Sequence, residues 1–137
     1  MTVLRKDPLL VGSLRYNRLT EKIDVTKVLW WNKEPCVLTN KGRKALRYFF
    51  EKYYGLFNES VMDDALDLEA YSKEYHPICE YLETLEWDGK ERIRNVLKVY
   101  MGADDSDMVY EMLKHFMMGA LNRIYCPGCK FDEMLCL

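Results

Sequence analysis

Two short segments of the sequence have the residue types and the spacing of metal ligands. Residues 126–129 read Cys-Pro-Gly-Cys, and residues 76–79 read His-Pro-Ile-Cys. Thiolate and imidazole pairs at this spacing are typical of zinc sites, and a C-x-x-C pair also occurs in thiol–disulfide enzymes. The sequence distance between the two pairs is not that of a common zinc finger, and no βαβ pattern surrounds the cysteines. The alternative is a structural role near helix ends, and we expect neither a metal nor another cofactor to be held by these residues.

A second candidate site is a basic face on the first long helix that the sequence predicts. Lys41, Lys44 and Lys52 fall on one side of this helix together with Tyr48, and Arg47 lies at the flank. A row of cations that includes an aromatic ring is suited to following a phosphate backbone. The alternative is an ordinary solvated helix surface. We take the four basic residues as a candidate nucleic-acid site.

The sequence contains no complete catalytic motif. There is no H-E-x-x-H, no Ser-His-Asp set and no glycine-rich phosphate loop. The carboxylate pairs at 63–64 and 104–105 fall at predicted helix starts, where the positive end of the helix dipole explains them. His76 and His115 are expected to be structural, hydrogen-bonded residues. We therefore expect this chain not to be an enzyme by itself.

Composition indicates a folded protein with an uneven charge distribution. Hydrophobic residues make up 49% of the 137 residues and aromatic residues 13%, which is typical of a globular chain. The five irregularly spaced cysteines do not resemble a disulfide framework, and no signal peptide or membrane span is evident, so a cytoplasmic location is expected. Residues 1–54 hold twelve Lys and Arg against five Asp and Glu, whereas residues 55–137 hold eight against seventeen. A basic half beside an acidic half is compatible either with a nucleic-acid-binding surface on the basic half or with charge pairing between chains.

The pattern of apolar residues predicts a mainly α (α+β) domain. Residues 1–8 are expected to be a loose N-terminal arm, and residues 9–137 a single mostly helical domain. Alternation of apolar and polar residues predicts a β-hairpin within 9–29. From about 40 to 125, apolar residues at helical spacing predict a compact bundle of about five helices.

Individual helices have recognisable faces and ends. Leu46, Phe49, Phe50 and Tyr53 are predicted to form the buried stripe of the first long helix, which Gly55 ends. The buried stripe of the next helix is predicted to consist of Val61, Ala65, Leu68 and Tyr75.

The last thirty residues are predicted to form a long apolar helix, a turn at Pro127 and Gly128, and a buried strand over 131–137. Because such a strand needs a neighbour, we expect the chain to be a piece of a longer protein.

Several uncommon residues occur in an order that is familiar from one family. The signature comprises His76, Pro77, Ile78, Tyr81, Leu82, Leu85, Trp87, Asp88, Gly89, Arg92 and Ile93, followed by Gly102, Ala103, Asn122, Arg123, Pro127, Gly128 and residues 129–132. This order resembles the virulence-associated protein E (VapE) family of prophages, plasmids and pathogenicity islands, strongest from residue 75 onward.

The resemblance implies an N-terminal accessory region of a mobile-element helicase-type P-loop ATPase. In that family a Walker A loop follows the last predicted strand, and ATP and Mg²⁺ serve the full-length parent. No G-x-x-x-x-G-K-[ST] occurs before Leu137, so no ATPase site is expected here. Expected partners are DNA and, for the parent, further copies of itself, with no membrane. The alternative is a protein–protein interaction or scaffold domain without a nucleic-acid role.

Overall fold

The computed structural model describes residues 2–136, about half of which are helical. Within these residues the elements are α1 (Thr2–Lys6), β1 (Leu14–Asn17), β2 (Lys22–Val25), β3 (Cys36–Val37), α2 (Asn40–Tyr54), α3 (Glu59–Tyr71), α4 (Pro77–Glu83), α5 (Ile93–Met101) and α6 (Asp107–Tyr125). The mainly α class with a small sheet is confirmed. The five helices predicted between residues 40 and 125 are α2 to α6.

The chain divides into two compact units, unit 1 (Met1–Pro77) and unit 2 (Ile78–Leu137). The sequence pattern predicted a single domain over residues 9–137, whereas the structure has two units. Helical periodicity identifies each helix but carries no information about which helices share a core.

The sheet of unit 1 is antiparallel, in the order β1-β2-β3. The predicted hairpin is present, with Leu14 opposite Val25 and Asn17 opposite Lys22. Its turn lacks an Asn-Gly pair. The Asn17 side chain stabilises the turn by accepting hydrogen bonds from the backbone N–H groups of Leu19 (3.0 Å) and Thr20 (3.2 Å).

Unit 1 has a continuous core to which the sheet and three helices contribute. Its twelve buried apolar residues are Leu4, Leu10, Leu14, Ile23, Val25, Leu29, Leu46, Phe49, Phe50, Met62, Leu66 and Ala70. Leu4 belongs to α1, so the loose arm predicted for residues 1–8 is wrong for the described residues from 2 onward. A five-residue helix is too short to show periodicity, and only its packing reveals it.

Two predicted buried stripes need correction. Tyr53 is 64% exposed although it was placed on the buried face of α2. In α3 the buried residues are Met62, Leu66, Glu69 and Ala70, whereas Val61 and Leu68 face outward. The buried face includes the charged Glu69, which a search for apolar spacing cannot identify.

Unit 2 packs α5 against α6 around a small buried centre. Among its described residues only Leu97 and Leu113 are buried large apolar side chains. Residues 131–136 form no strand, because no other described segment pairs with them, so the predicted terminal strand is not formed there; Leu137 lies outside the described residues.

Candidate functional site

Helix α2 packs against the rest of unit 1 through close contacts along one side. Leu46, Phe49 and Phe50 enter the core. At Gly42 a Cβ atom would lie 2.9 Å from Leu38 Cδ1 and 3.2 Å from Trp31 Nε1, so these side chains pack tightly against the glycine. The helix ends at Gly55, as predicted, with a φ of +63°. The opposite side of α2 is thereby held in a defined orientation towards solvent.

That opposite side carries the lysine face, which consists of Lys41, Lys44, Tyr48 and Lys52. All four residues are exposed, and at 3.6 residues per turn they lie on one side of the helix. Within the described residues none of the three lysines has a carboxylate partner. The Lys52 ammonium lies 5.6 Å from the Tyr48 ring centroid and 5.3 Å from that of Tyr53, which is within cation–π range.

Arg47, the fourth predicted basic residue, is oriented differently. It forms a close ion pair with Glu59 of α3 and lies 3.9 Å from Asp63. Arg43 behaves in the same way, with Asp63 at 3.1 Å and Asp67 at 2.6 Å. Part of the positive charge counted in residues 1–54 is therefore matched by α3 within unit 1, and the free cations of α2 are its lysines.

Beside the lysine face lies an aromatic patch formed by Trp30, Trp31, Phe49 and Tyr53. Trp30 stacks on Phe49 with 4.7 Å between ring centroids and 27° between planes, and Phe49 lies 4.9 Å from Tyr53. Trp31 meets Trp30 edge-on at 4.6 Å and packs against the core. Trp30 is 47% exposed. The adjacent tryptophans were visible in the sequence, but their position against α2 was not.

Another polar cluster of unit 1 surrounds the carboxylate of Glu69, which is 2% exposed. Arg5 Nε donates to its Oε2 over 2.7 Å, and Lys73 Nζ lies 2.6 Å from Oε1. Burial alone would raise the pKa of Glu69, but the contacts with Lys73 and Arg5 outweigh it and hold the pKa below its ordinary value. This cluster joins α1 to α3 and is structural.

In unit 2 the signature residues 87–92 form a fixed turn. The Arg92 guanidinium donates to both carboxylate oxygens of Asp88, over 2.7 and 2.5 Å, and the Lys90 N–H donates to Asp88 Oδ1 over 3.3 Å. The Arg92 hydrogen bond is the largest cause that lowers the pKa of Asp88 to about 2. Gly89 has a φ of +79°, which only glycine adopts easily. Trp87 is 79% exposed, so the turn presents this ring to solvent.

The end of α6 and the following residues form a second family-motif cluster. Phe131 lies directly over Gly119, where a Cβ atom would be 2.2 Å from the ring. Arg123 donates a short hydrogen bond to the Phe131 carbonyl, and its guanidinium lies 5.8 Å from that ring. His115 lies 5.4 Å from the same ring, centroid to centroid. Sequence reasoning missed the contact between Gly119 and Phe131, which has no local signal.

Within the described residues, the His and Cys pairs considered as candidate zinc ligands are not brought together into a metal site. Over residues 2–136 no group of three or more His, Cys, Asp or Glu is placed to hold a metal ion. Residues 126–129 form a turn in which the Cys129 N–H donates to the Cys126 carbonyl over 3.0 Å. His76 and Cys79, at the start of α4, have contacts of their own.

None of the described helices combines the length and the apolar content needed to span a membrane.

Comparison with known proteins identifies one family. Among curated proteins no match to the chain was found. Residues 82–137 match the model of the virulence-associated protein E-like domain. The match falls within unit 2 and includes the signature from Leu82 onward, whereas His76, Pro77 and the lysine face lie outside it. The match of residues 82–137 to the virulence-associated protein E-like domain thus confirms the family resemblance for this part of the chain.

Proposed function

We propose that this chain is a nucleic-acid-binding accessory region of a mobile-element replication ATPase of the helicase type, with the lysine face as its binding surface. The virulence-associated protein E-like domain indicates a protein associated with mobile elements. The chain contains no Walker A motif, so its own contribution is binding and not ATP hydrolysis. Assembly with further copies of the parent belongs to the same proposal.

The observation that carries the proposal is the separation of paired and unpaired cations on α2. Arg43 and Arg47 meet the carboxylates of α3. Lys41, Lys44 and Lys52 are exposed without a carboxylate partner among the described residues, on a helix whose other side packs into the core. Unpaired, aligned cations attract a phosphate backbone, because each contact releases a counterion from the nucleic acid.

The proposal is tested by titrating a labelled DNA oligonucleotide with the protein at several salt concentrations. Each phosphate contact contributes about 0.7–0.9 to the slope of log K against log salt. The combined substitutions Lys41→Ala, Lys44→Ala and Lys52→Ala are expected to reduce that slope by about 2 and to weaken binding. As a matched control, Lys90→Ala, Lys114→Ala and Lys130→Ala remove the same charge from unit 2. Absence of binding at low salt, or equal binding by the two triple variants, would contradict the proposal.

The alternative function is a scaffold that pairs basic and acidic surfaces between chains. The pairing of Arg5, Arg43 and Arg47 within unit 1 leaves less charge for this purpose. Light scattering separates the two functions, because a charge-paired oligomer dissociates as salt screens it. A salt-sensitive oligomer without DNA affinity would favour the scaffold.

A further inference from the structure

The lysine face borders directly on the aromatic patch, and this arrangement bears on the form of nucleic acid that is bound. Tyr48 is 61% exposed and sits among the lysines. Tyr53, at 64% exposure, adjoins Lys52 and leans on Phe49, which in turn stacks on Trp30. Exposed aromatic residues therefore lie next to the lysines on this side of unit 1.

A nucleic-acid duplex cannot stack its bases on the exposed rings of such a surface. Its bases are already stacked inside the helix, so a protein that contacts it from outside meets mainly phosphate and groove edges. A single strand offers unpaired bases whose faces stack on aromatic side chains, while its phosphates follow the cations. Stacking is largely insensitive to sequence, because every base has such a face.

A purely apolar protein partner fits this surface less well. It would cover the rings of Tyr48, Tyr53 and Trp30 but would leave Lys41, Lys44 and Lys52 without counter-charges. Glu51, the acidic residue of α2, is half-buried. Charge complementarity therefore favours a polyanion with flat apolar groups.

Resting on the proposed function, we infer that the lysine face and the aromatic patch together bind single-stranded nucleic acid, with bases stacked on Tyr48, Tyr53 and Trp30. The lysines hold the phosphates, and the rings supply the preference for unpaired bases.

The test compares the affinity of the whole chain for an oligothymidine with its affinity for a duplex of equal length at one low salt concentration. The single strand is expected to bind at least about tenfold more tightly. The double variant Tyr48→Ala/Tyr53→Ala is expected to lose most of that preference, whereas Tyr48→Phe/Tyr53→Phe keeps it because the rings remain. Tyr81→Ala/Tyr100→Ala is the matched control, since these residues of unit 2 are 62% and 80% exposed.

A second readout uses tryptophan fluorescence. In a Trp87→Phe background the remaining tryptophans are Trp30 and Trp31, so quenching by oligothymidine reports stacking at the aromatic patch. Equal affinity for single strand and duplex, or an alanine variant that binds like the wild type, overturns the inference while leaving phosphate binding by the lysine face in place. Failure of both DNA forms to bind at low salt overturns the proposed function itself and favours a protein partner.

Discussion

Unit 1 and unit 2 bury their apolar residues to very different degrees. Unit 1 has twelve buried apolar residues drawn from its sheet and helices. Among the described residues of unit 2, only two large apolar side chains are buried, those of Leu97 and Leu113, and fifteen are exposed. Because burial of apolar surface is the main favourable contribution to folding, we expect the core of unit 1 to stabilise that unit by itself. Unit 2 carries most of the family signature and leaves many of its large apolar side chains exposed.

The largest expected effect on the free energy of unfolding comes from truncating one buried leucine in each unit, which tests this comparison. Leu46→Ala in unit 1 is expected to lower the free energy of unfolding by about 2–5 kcal/mol, because the packed surroundings cannot collapse into the cavity. Leu97→Ala in unit 2 is expected to cost less, because Leu97 lies outside the large cluster of buried apolar residues. Urea unfolding followed by tryptophan fluorescence checks both: Trp30 and Trp31 report unit 1 in a Trp87→Phe background, and Trp87 reports unit 2 in a Trp30→Phe/Trp31→Phe background. Equal losses at the two positions would contradict the contrast.

A smaller effect is expected where the chain after α6 packs onto that helix. Gly119→Ala places a methyl group against the Phe131 ring and is expected to cost about 1–3 kcal/mol through overpacking. It should also increase the alkylation rate of Cys129, measured by mass spectrometry, because the half-buried segment is displaced. Adding Phe131→Ala relieves the clash, so the double variant should tolerate the methyl group. An unchanged alkylation rate in Gly119→Ala would show that this contact does not hold the segment.

The smallest of these effects concerns the buried carboxylate of unit 1. The pKa of Glu69 is lowered in the folded state, so its stabilising contribution is present above the ordinary glutamate pKa of about 4.3 and is lost as the pH falls through the folded-state value. Glu69→Gln is expected to reduce stability at pH 7 by about 1–2 kcal/mol and to flatten the acid limb of the stability curve. Urea midpoints between pH 3 and about 7 measure this. A parallel loss at every pH would assign the effect to packing instead.

How far the sequence predicts this protein depends on whether a feature is local. Helix α2 was predicted correctly because its apolar spacing and the glycine that ends it, Gly55, are both local features of the sequence. The buried face of α3 was not, because Glu69 is buried with two cationic partners, and one of them, Arg5, lies 64 residues away. The two-residue strand β3 and helix α1 are too short to show a period.

The candidate site shows the same limit. The three exposed lysines of α2 were identified from helical spacing, since they depend only on the helix itself. Arg47 was placed with them, and only the structure reveals its pairing with Glu59. The stacking of Trp30 on Phe49 joins a loop to a helix, and no pattern in the sequence indicates such a contact.

The most direct test of the central claim is to titrate oligothymidine with two separate fragments, residues 1–77 and residues 78–137, over a range of salt concentrations. Since the lysine face, the aromatic patch and a complete core all lie in unit 1, the first fragment is expected to bind with the same salt dependence as the whole chain. The second fragment, which carries the family domain without these residues, is expected not to bind. Binding confined to residues 78–137 would contradict the account.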